Sequence, residues 1–288
     1  MIFGESRAKD LYRRVVWGPA AIAMEMVPAP WEALAVRVGG RVAAEAMRAT
    51  RDRIRRNMVR AFGSRPEIDR WSGEAFAAHA SNQYAPLSFR KCTTETWQRY
   101  LAFEGLEHLE RGRATVVLHP HMGPAQLPPH VLGLLGFAVH QIAGGRVGGL
   151  SATGRWAAGQ RAERERSLAA VLHDGAAYLR PVVRALEAGE VVLTACDATG
   201  GDVELGRREI ATVLGQRMPL PIGGVKLARM SGAQILTLTC ARRRESVPLF
   251  EARLEPFDGD VAAFLTRALT EHPGDWHFWD RFEPGGLL

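Results

Sequence analysis

The chain has 288 residues, of which 47% are hydrophobic and 24% charged, and a formal net charge of +6. That content excludes a disordered chain and supplies enough apolar material for a sizeable core. The cysteines, Cys92, Cys196 and Cys240, lie far apart with no CxxC or Cys/His spacing, which argues against a zinc site and fits a reducing cytoplasm. The basic balance suits anionic partners: nucleic acid, a membrane surface, acidic carrier proteins or phosphorylated cofactors. No nucleic-acid motif or interleaved aromatic–basic stripe accompanies the charge, so no nucleic-acid partner is expected.

The first apolar stretch, VVWGPAAIAMEMVPAPWEALAVRVGG over residues 15–40, is interrupted by Glu25, Pro28, Pro30 and Glu32. A spanning helix needs roughly 20 mostly apolar residues. The stretch therefore reads as a core-packed helical pair. The alternative is an interfacial patch with Trp17 and Trp31 as anchors, giving peripheral contact at the inner face of the cell membrane. WEALAVRVGGRVAAEAMRATRDRIRRNMVRAFG predicts a helix with a basic face at Arg51, Arg53, Arg55 and Arg56, and a further helix enters through Pro66. Residues 1–105 thus form an N-terminal helical region, and 106–288 an α/β core, together one structural domain.

From about residue 112 the pattern changes. ATVVLH, GFAVHQIA, EVVLTACD, REIATVLG and AQILTLTC read as strands. Helices are expected at 127–135, 167–172, 178–186 and 223–230. The alternation predicts an α/β fold with a mostly parallel central sheet flanked by helices. PLFEARLEPF predicts a late antiparallel edge strand, GDVAAFLTRALTEHP a helix ended by Pro273, and the aromatic tail GDWHFWDRF packs back on the body.

Ligands in open α/β sheets bind beyond the carboxyl ends of strands. His119 and His121 follow one strand there, and Cys196 and Asp197 follow another. Buried cysteines at strand ends are commonly structural, although Cys196 beside a histidine is a conceivable nucleophile. Arg146 and Arg155 follow the second strand, where a phosphate or pantetheine arm would be gripped.

Four segments in order, HPHMGPAQL, CDATGG, VLGQRMPLPIGGVKLARMSGAQIL and EHPGDWHFWDRF, carry a resemblance. The chain resembles the bacterial lipid A biosynthesis acyltransferases, a family that includes lauroyl, myristoyl and phosphatidylinositol mannoside acyltransferases. His121 sits at the family histidine and Leu127 at the closing leucine. Asp197 and Gly201 fit the acidic turn. Gly215, Gly223, Leu227, Ala228, Gly232 and Ala233 fit the next block, and His272, Pro273, Trp276, Trp279, Arg281 and Phe282 the last. The resemblance implies a lysophospholipid acyltransferase-like fold with no cofactor, in which acyl-CoA or an acyl carrier protein serves as donor and co-substrate. The implied acceptor is a hydroxyl or amine of a lipid or specialised metabolite.

One departure stands out. The family carries Asp or Glu five residues after its histidine, and this chain has Gln126. Acyl transfer from a thioester needs a base for the attacking group, and a carboxylate normally orients the base and steadies its charged form. An amide can orient but cannot supply charge. His121 is therefore the candidate base, Asp197 the candidate charge partner and Gln126 a weaker one. His119, Gly123, Arg146 and Arg155 are candidates for substrate binding, and backbone N–H groups after Pro124 for holding an oxyanion. On this reading a Gln126→Glu change restores the family pair. The alternative is a weakened relative that binds an acyl carrier or lipid without turnover.

Overall fold

The computed structural model describes residues 7–143, 150–173, 179–197, 207–243 and 247–282, with side chains from residue 10 onward except those of residues 29 and 30. Arg146 and Gly201 lie outside the described residues. The N-terminal region is built from α1 (Arg7–Val15), α2 (Ala21–Met26), α3 (Ala29–Ala46), α4 (Arg48–Phe62) and α5 (Ile68–Ser88). The expected single helix over 31–63 is two, broken at Met47, whose φ/ψ of −115/49 is not helical. Glu32, which interrupts the apolar stretch, is buried and ion-paired with Lys91, and also accepts from Ser88 Oγ at 2.8 Å. Burial raises its pKa against the pull of Lys91. A charge in an apolar run is thus tolerated because it is paired and hydrogen-bonded.

The core sheet comprises β1 (Leu101–Glu104), β2 (Thr115–His119), β3 (Val139–Ile142), β4 (Val171–His173), β5 (Val191–Ala195), β8 (Gln234–Arg242) and β9 (Phe250–Pro256), in the order β1-β9-β8-β2-β5-β3-β4. All neighbours are parallel except β8 and β9. β2 is buried throughout. Its Val116 and Leu118 enter one core and Val117 the other, as expected of a central parallel strand covered on both faces. The helices α6 (Leu127–Leu134), α7 (Ala152–Glu165), α8 (Leu179–Glu187), α9 (Gly223–Ser231) and α10 (Val261–Glu271) complete the fold. Asp260 caps α10 by accepting from Ala262 N and Ala263 N.

Three expectations are corrected. REIATVLG does not join the central sheet. It is β6 (Arg208–Val213), which pairs with β7 (Gln216–Pro221) in a separate hairpin. Val213 faces Gln216 across a two-residue loop, Leu214 and Gly215, with φ of 48° and 74°. Two positive φ values suit the tight turn of a twisted hairpin, and leucine there hid the signal that Asn-Gly would have given. Residues 167–172 are not helical: a turn at Ser167 leads into β4. β9 is antiparallel to β8 as expected, but β1 covers it, so it is not an edge.

The aromatic tail does pack back. Trp276, Trp279 and Phe282 are buried and meet edge-to-face, with ring centroids 5.0–5.8 Å apart. Asn57 Nδ2 donates to Trp279 O at 2.8 Å, which ties α4 to this tail. Phe264 of α10 is 1% exposed in the same core. Phe264→Ala is expected to lower stability by about 3–5 kcal/mol. The check is a lower denaturant midpoint at unchanged slope; a midpoint within error of the parent would show that α10 is not part of the core.

Candidate active site

The site grows from strand register. β2 and β5 run parallel with His119 opposite Ala195, and Cys196 N donates to His119 O at 3.0 Å. Two residues further along each chain, His121 and Asp197 are therefore level. The His121 ring nitrogen Nδ1 lies 2.7 Å from Asp197 Oδ1, and the His121 backbone N–H donates to Asp197 Oδ2 at 2.7 Å. The Trp276 indole N–H donates to the same Oδ2 at 2.7 Å. The Asp197 side chain is fully buried, whereas that of His121 keeps 27% exposure.

Three donors around one buried carboxylate settle its charge. Burial opposes the ionised form, but the imidazole beside it and the hydrogen bonds from His121 and Trp276 outweigh that, and the Asp197 pKa is lowered. Burial likewise opposes a charged His121, yet the attraction and hydrogen bond of Asp197 prevail and its pKa is raised. With Nδ1 facing the carboxylate, Nε2 is the ring nitrogen left for another partner.

The tail holds the turn after β2. His277 N donates to His121 O at 3.0 Å and Gly123 N donates to Asp275 O at 3.1 Å. The Phe278 ring meets the His121 ring edge-on at 4.8 Å. Gly123 has φ of 51°, and a Cβ there would sit 2.7 Å from Cys240 O, so this turn needs glycine.

His121 lines a cavity of about 650 Å³. Its lining mixes polar side chains, among them His119, Gln126, Gln141, Asn82 and Arg161, with apolar ones, among them Ile142, Leu179, Val183, Leu227 and Met230. Gln126 lines the same cavity but does not bond to His121. Its amide nitrogen donates to Glu165 at 2.9 Å and its oxygen accepts from Arg161 at 2.8 Å. His119 is buried, and its Nδ1 lies 3.2 Å from Pro120 O, so Nδ1 carries the hydrogen. Burial, aided by the nearby His121, lowers its pKa to about 4, so it stays neutral. Its Nε2 is then a bare acceptor without a partner among the described residues, as is the buried Gln141 Oε1.

Other expectations fare differently. Gly123 is structural to the turn and does not line the cavity, and neither does Arg155, which is exposed on α7 and donates to Leu150 O. Backbone N–H groups after Pro124 are mostly spent: Ala125 N donates to Asn82 Oδ1 and Leu127 N to Pro124 O, while Pro128 and Pro129 have none. Cys196 is 1% exposed with its pKa raised well above the usual thiol value by burial, which rules out a ready thiolate. Sequence reasoning missed Trp276 as a partner of Asp197, and missed Arg161 and Glu165 altogether. The only sequence trace of the latter two is their spacing of four on a helix.

The chain thus combines a mostly parallel sheet with a histidine–carboxylate pair at adjacent strand ends beside a cavity of mixed lining. The model for the bacterial lipid A biosynthesis acyltransferase family matches residues 13–272. The chain belongs to that family, a family of acyltransferases. No curated protein matches the chain. Among solved structures, the chain is similar to a 1-acyl-sn-glycerophosphate (LPA) acyltransferase, PlsC, from Thermotoga maritima. The identity is 15%, with 75% of this chain and 86% of that one covered and a TM-score of 0.37.

Asp197→Asn is expected to lower the His121 pKa below the ordinary imidazole value of about 6.5, because burial then acts without the opposing charge. An NMR titration of the histidine ring reads this directly. A midpoint as high in Asp197→Asn as in the parent would show that Asp197 does not set the ring's charge.

Proposed function

We propose that the protein transfers an acyl group from an acyl thioester, acyl-CoA or an acyl carrier protein, to a hydroxyl or amine of a lipid or specialised metabolite. The observation that carries this reading is the His121–Asp197 pair at 2.7 Å, beside a cavity lined in part by apolar side chains. His121 Nε2 takes the proton as the acceptor atom attacks the thioester carbonyl carbon. The tetrahedral intermediate collapses with cleavage of the C–S bond, and the departing thiolate takes the proton back from Nε2. Asp197 steadies the imidazolium between these steps. His119, neutral and with an unpartnered Nε2, accepts a hydrogen bond from the substrate. The apolar wall of Ile142, Val183 and Leu227 takes the acyl chain.

The alternative, a binding protein without turnover, was motivated by the neutral Gln126. A carboxylate does stand beside the base, from β5 rather than from the turn, and this favours turnover. The test is incubation with a panel of acyl-CoA and acyl-carrier donors, read by mass spectrometry for thioester loss and acylated product. His121→Ala should abolish turnover with the fold intact, and His119→Ala should do less. Asp197→Asn should cost up to about 10⁴-fold, the loss seen for the orienting carboxylate of a serine protease. Near-parent turnover in His121→Ala would place the chemistry elsewhere. Donor binding without turnover in the parent protein would favour the binding reading.

The N-terminal helices support a peripheral seat on a membrane. No helix among the described residues is long and apolar enough to cross one. α3 instead exposes Trp31, Leu34, Val38 and Val42, spaced for one face. Trp31 is 61% exposed and suits an anchor, whereas Trp17 is 5% exposed and belongs to the core. Replacing Trp31 and Val38 together by Ser should release the protein from anionic vesicles in co-sedimentation without lowering its melting temperature. Equal binding by parent and double variant would remove α3 as the contact.

A further inference from the structure

Two of the residues lining the cavity, Gln126 and Arg161, join Glu165 in a ring of three side chains that no step above uses. Gln126 stands at the N-terminus of α6, while Arg161 and Glu165 stand one turn apart on α7. Arg161 Nε donates to Glu165 Oε1 at 2.6 Å, and Arg161 Nη2 to Gln126 Oε1 at 2.8 Å. Gln126 Nε2 closes the ring by donating to Glu165 Oε1 at 2.9 Å. The side chains of Arg161 and Glu165 are only 23% and 18% exposed. At such a depth their mutual charge counts for more than at a free surface.

The ring fixes what residue 126 has to be. It must accept from a guanidinium and donate to a carboxylate at once, and a side-chain amide does both. A carboxylate at 126 would place an acceptor where the amide nitrogen now donates, against Glu165, with one guanidinium between two negative groups. The neutral residue is therefore matched to a carboxylate that stands at position 165.

The ring also reaches the base. Residues 120–126 form the turn from β2 to α6, and His121 lies within it. Ala125, next to Gln126, receives Gln141 Nε2 at 3.4 Å and donates to Asn82 Oδ1 at 3.3 Å. Arg161 Nη1 points at Asn82 O and Gln83 Oε1, at 3.5 and 3.4 Å. The turn is thereby tied to α5, α7 and β3 at its far end, as the aromatic tail ties its near end.

We propose that Arg161 and Glu165 are positioning residues. Through Gln126 they hold the β2–α6 turn, and hence His121, in the geometry that acyl transfer needs, and positions 126 and 165 must together carry one amide and one carboxylate. The proposal rests on His121 acting as the base. It reverses the expectation that Gln126→Glu restores function.

Five proteins test it: the parent, Gln126→Glu, Glu165→Gln, the double exchange and Arg161→Lys. Melting temperature and acyl-thioester consumption are measured on each, the latter as kcat, donor KM and the acidic limb of the pH profile. Each single change should lower both melting temperature and kcat, with kcat falling by up to about 10²-fold, the effect of a displacement near 1 Å on a reacting group. In Glu165→Gln, donor KM and the acidic limb should stay where they are, because Glu165 does not line the cavity and Asp197 still faces His121. The double exchange should recover most of the kcat and melting temperature. Arg161→Lys, which keeps the charge but loses the fork, should behave like a single change.

A double exchange no better than the summed singles would overturn the proposal, as would a Gln126→Glu protein with parental kcat. A loss confined to melting temperature, with kcat intact, would reduce the ring to a structural brace and also overturn it. If the parent consumes no thioester, the acyl-transfer reading fails, and the positioning role falls with it. Additivity of melting temperatures still decides separately whether the ring exists.

Discussion

The structure is organised around one buried charge. Asp197 is a carboxylate with no exposed side-chain surface, which costs several kcal/mol unless partners replace its water. The three partners come from two distant parts of the chain: the backbone and ring of His121, and the Trp276 indole. None of these contacts forms unless β2 and β5 pair in the observed register and the aromatic tail closes over both. Burying this charge therefore requires the sheet, the turn and the tail to be correct together. A one-residue slip between the strands would leave Asp197 against apolar core, so the functional pair also enforces the register.

Placing the carboxylate on a neighbouring strand separates two duties that one residue in the turn would otherwise combine. Asp197 sets the charge of the imidazole, from a strand end whose position the sheet dictates. Residue 126 is then free of that duty, and its amide bridges α6 to α7. The neutral side chain in the turn is thus compatible with a charged partner for the base.

Much of this was legible in the residues. Short apolar runs alternating with helical segments pointed to the parallel sheet, and two polar clusters at strand ends brought the histidines near Asp197; choosing His121 over His119 rested on the family resemblance. Other features depend on tertiary context. The β6–β7 hairpin turns through Leu214–Gly215, which lacks the usual turn residues. Trp17 and Trp31 look alike in sequence, and only the packing of α3 and α5 decides that one is buried and the other exposed. Arg161 and Glu165 read as an ordinary pair on a helix surface. Their meaning comes from Gln126 arriving beside them, a long-range contact without a local signature. Gly123 stood among the substrate-binding candidates because it follows the histidine, yet its conformation shows that it serves the turn.

The two histidines that end β2 show how environment divides identical chemistry. His119 is buried without a carboxylate, and its pKa falls to about 4. His121, two residues on, is also opposed by burial but faces Asp197, and its pKa rises. Divergent values in neighbouring groups are a sign of divided roles. The ring with the raised value holds a proton more readily, because the carboxylate is already in place to stabilise the charge. The ring with the lowered value does not, and its fixed tautomer instead offers a lone pair to a donor in the cavity. The two positions are therefore not interchangeable. A carboxylate moved to face His119 would reverse their roles only if the β2–β5 register moved with it, and the core on both faces of β2 holds that register.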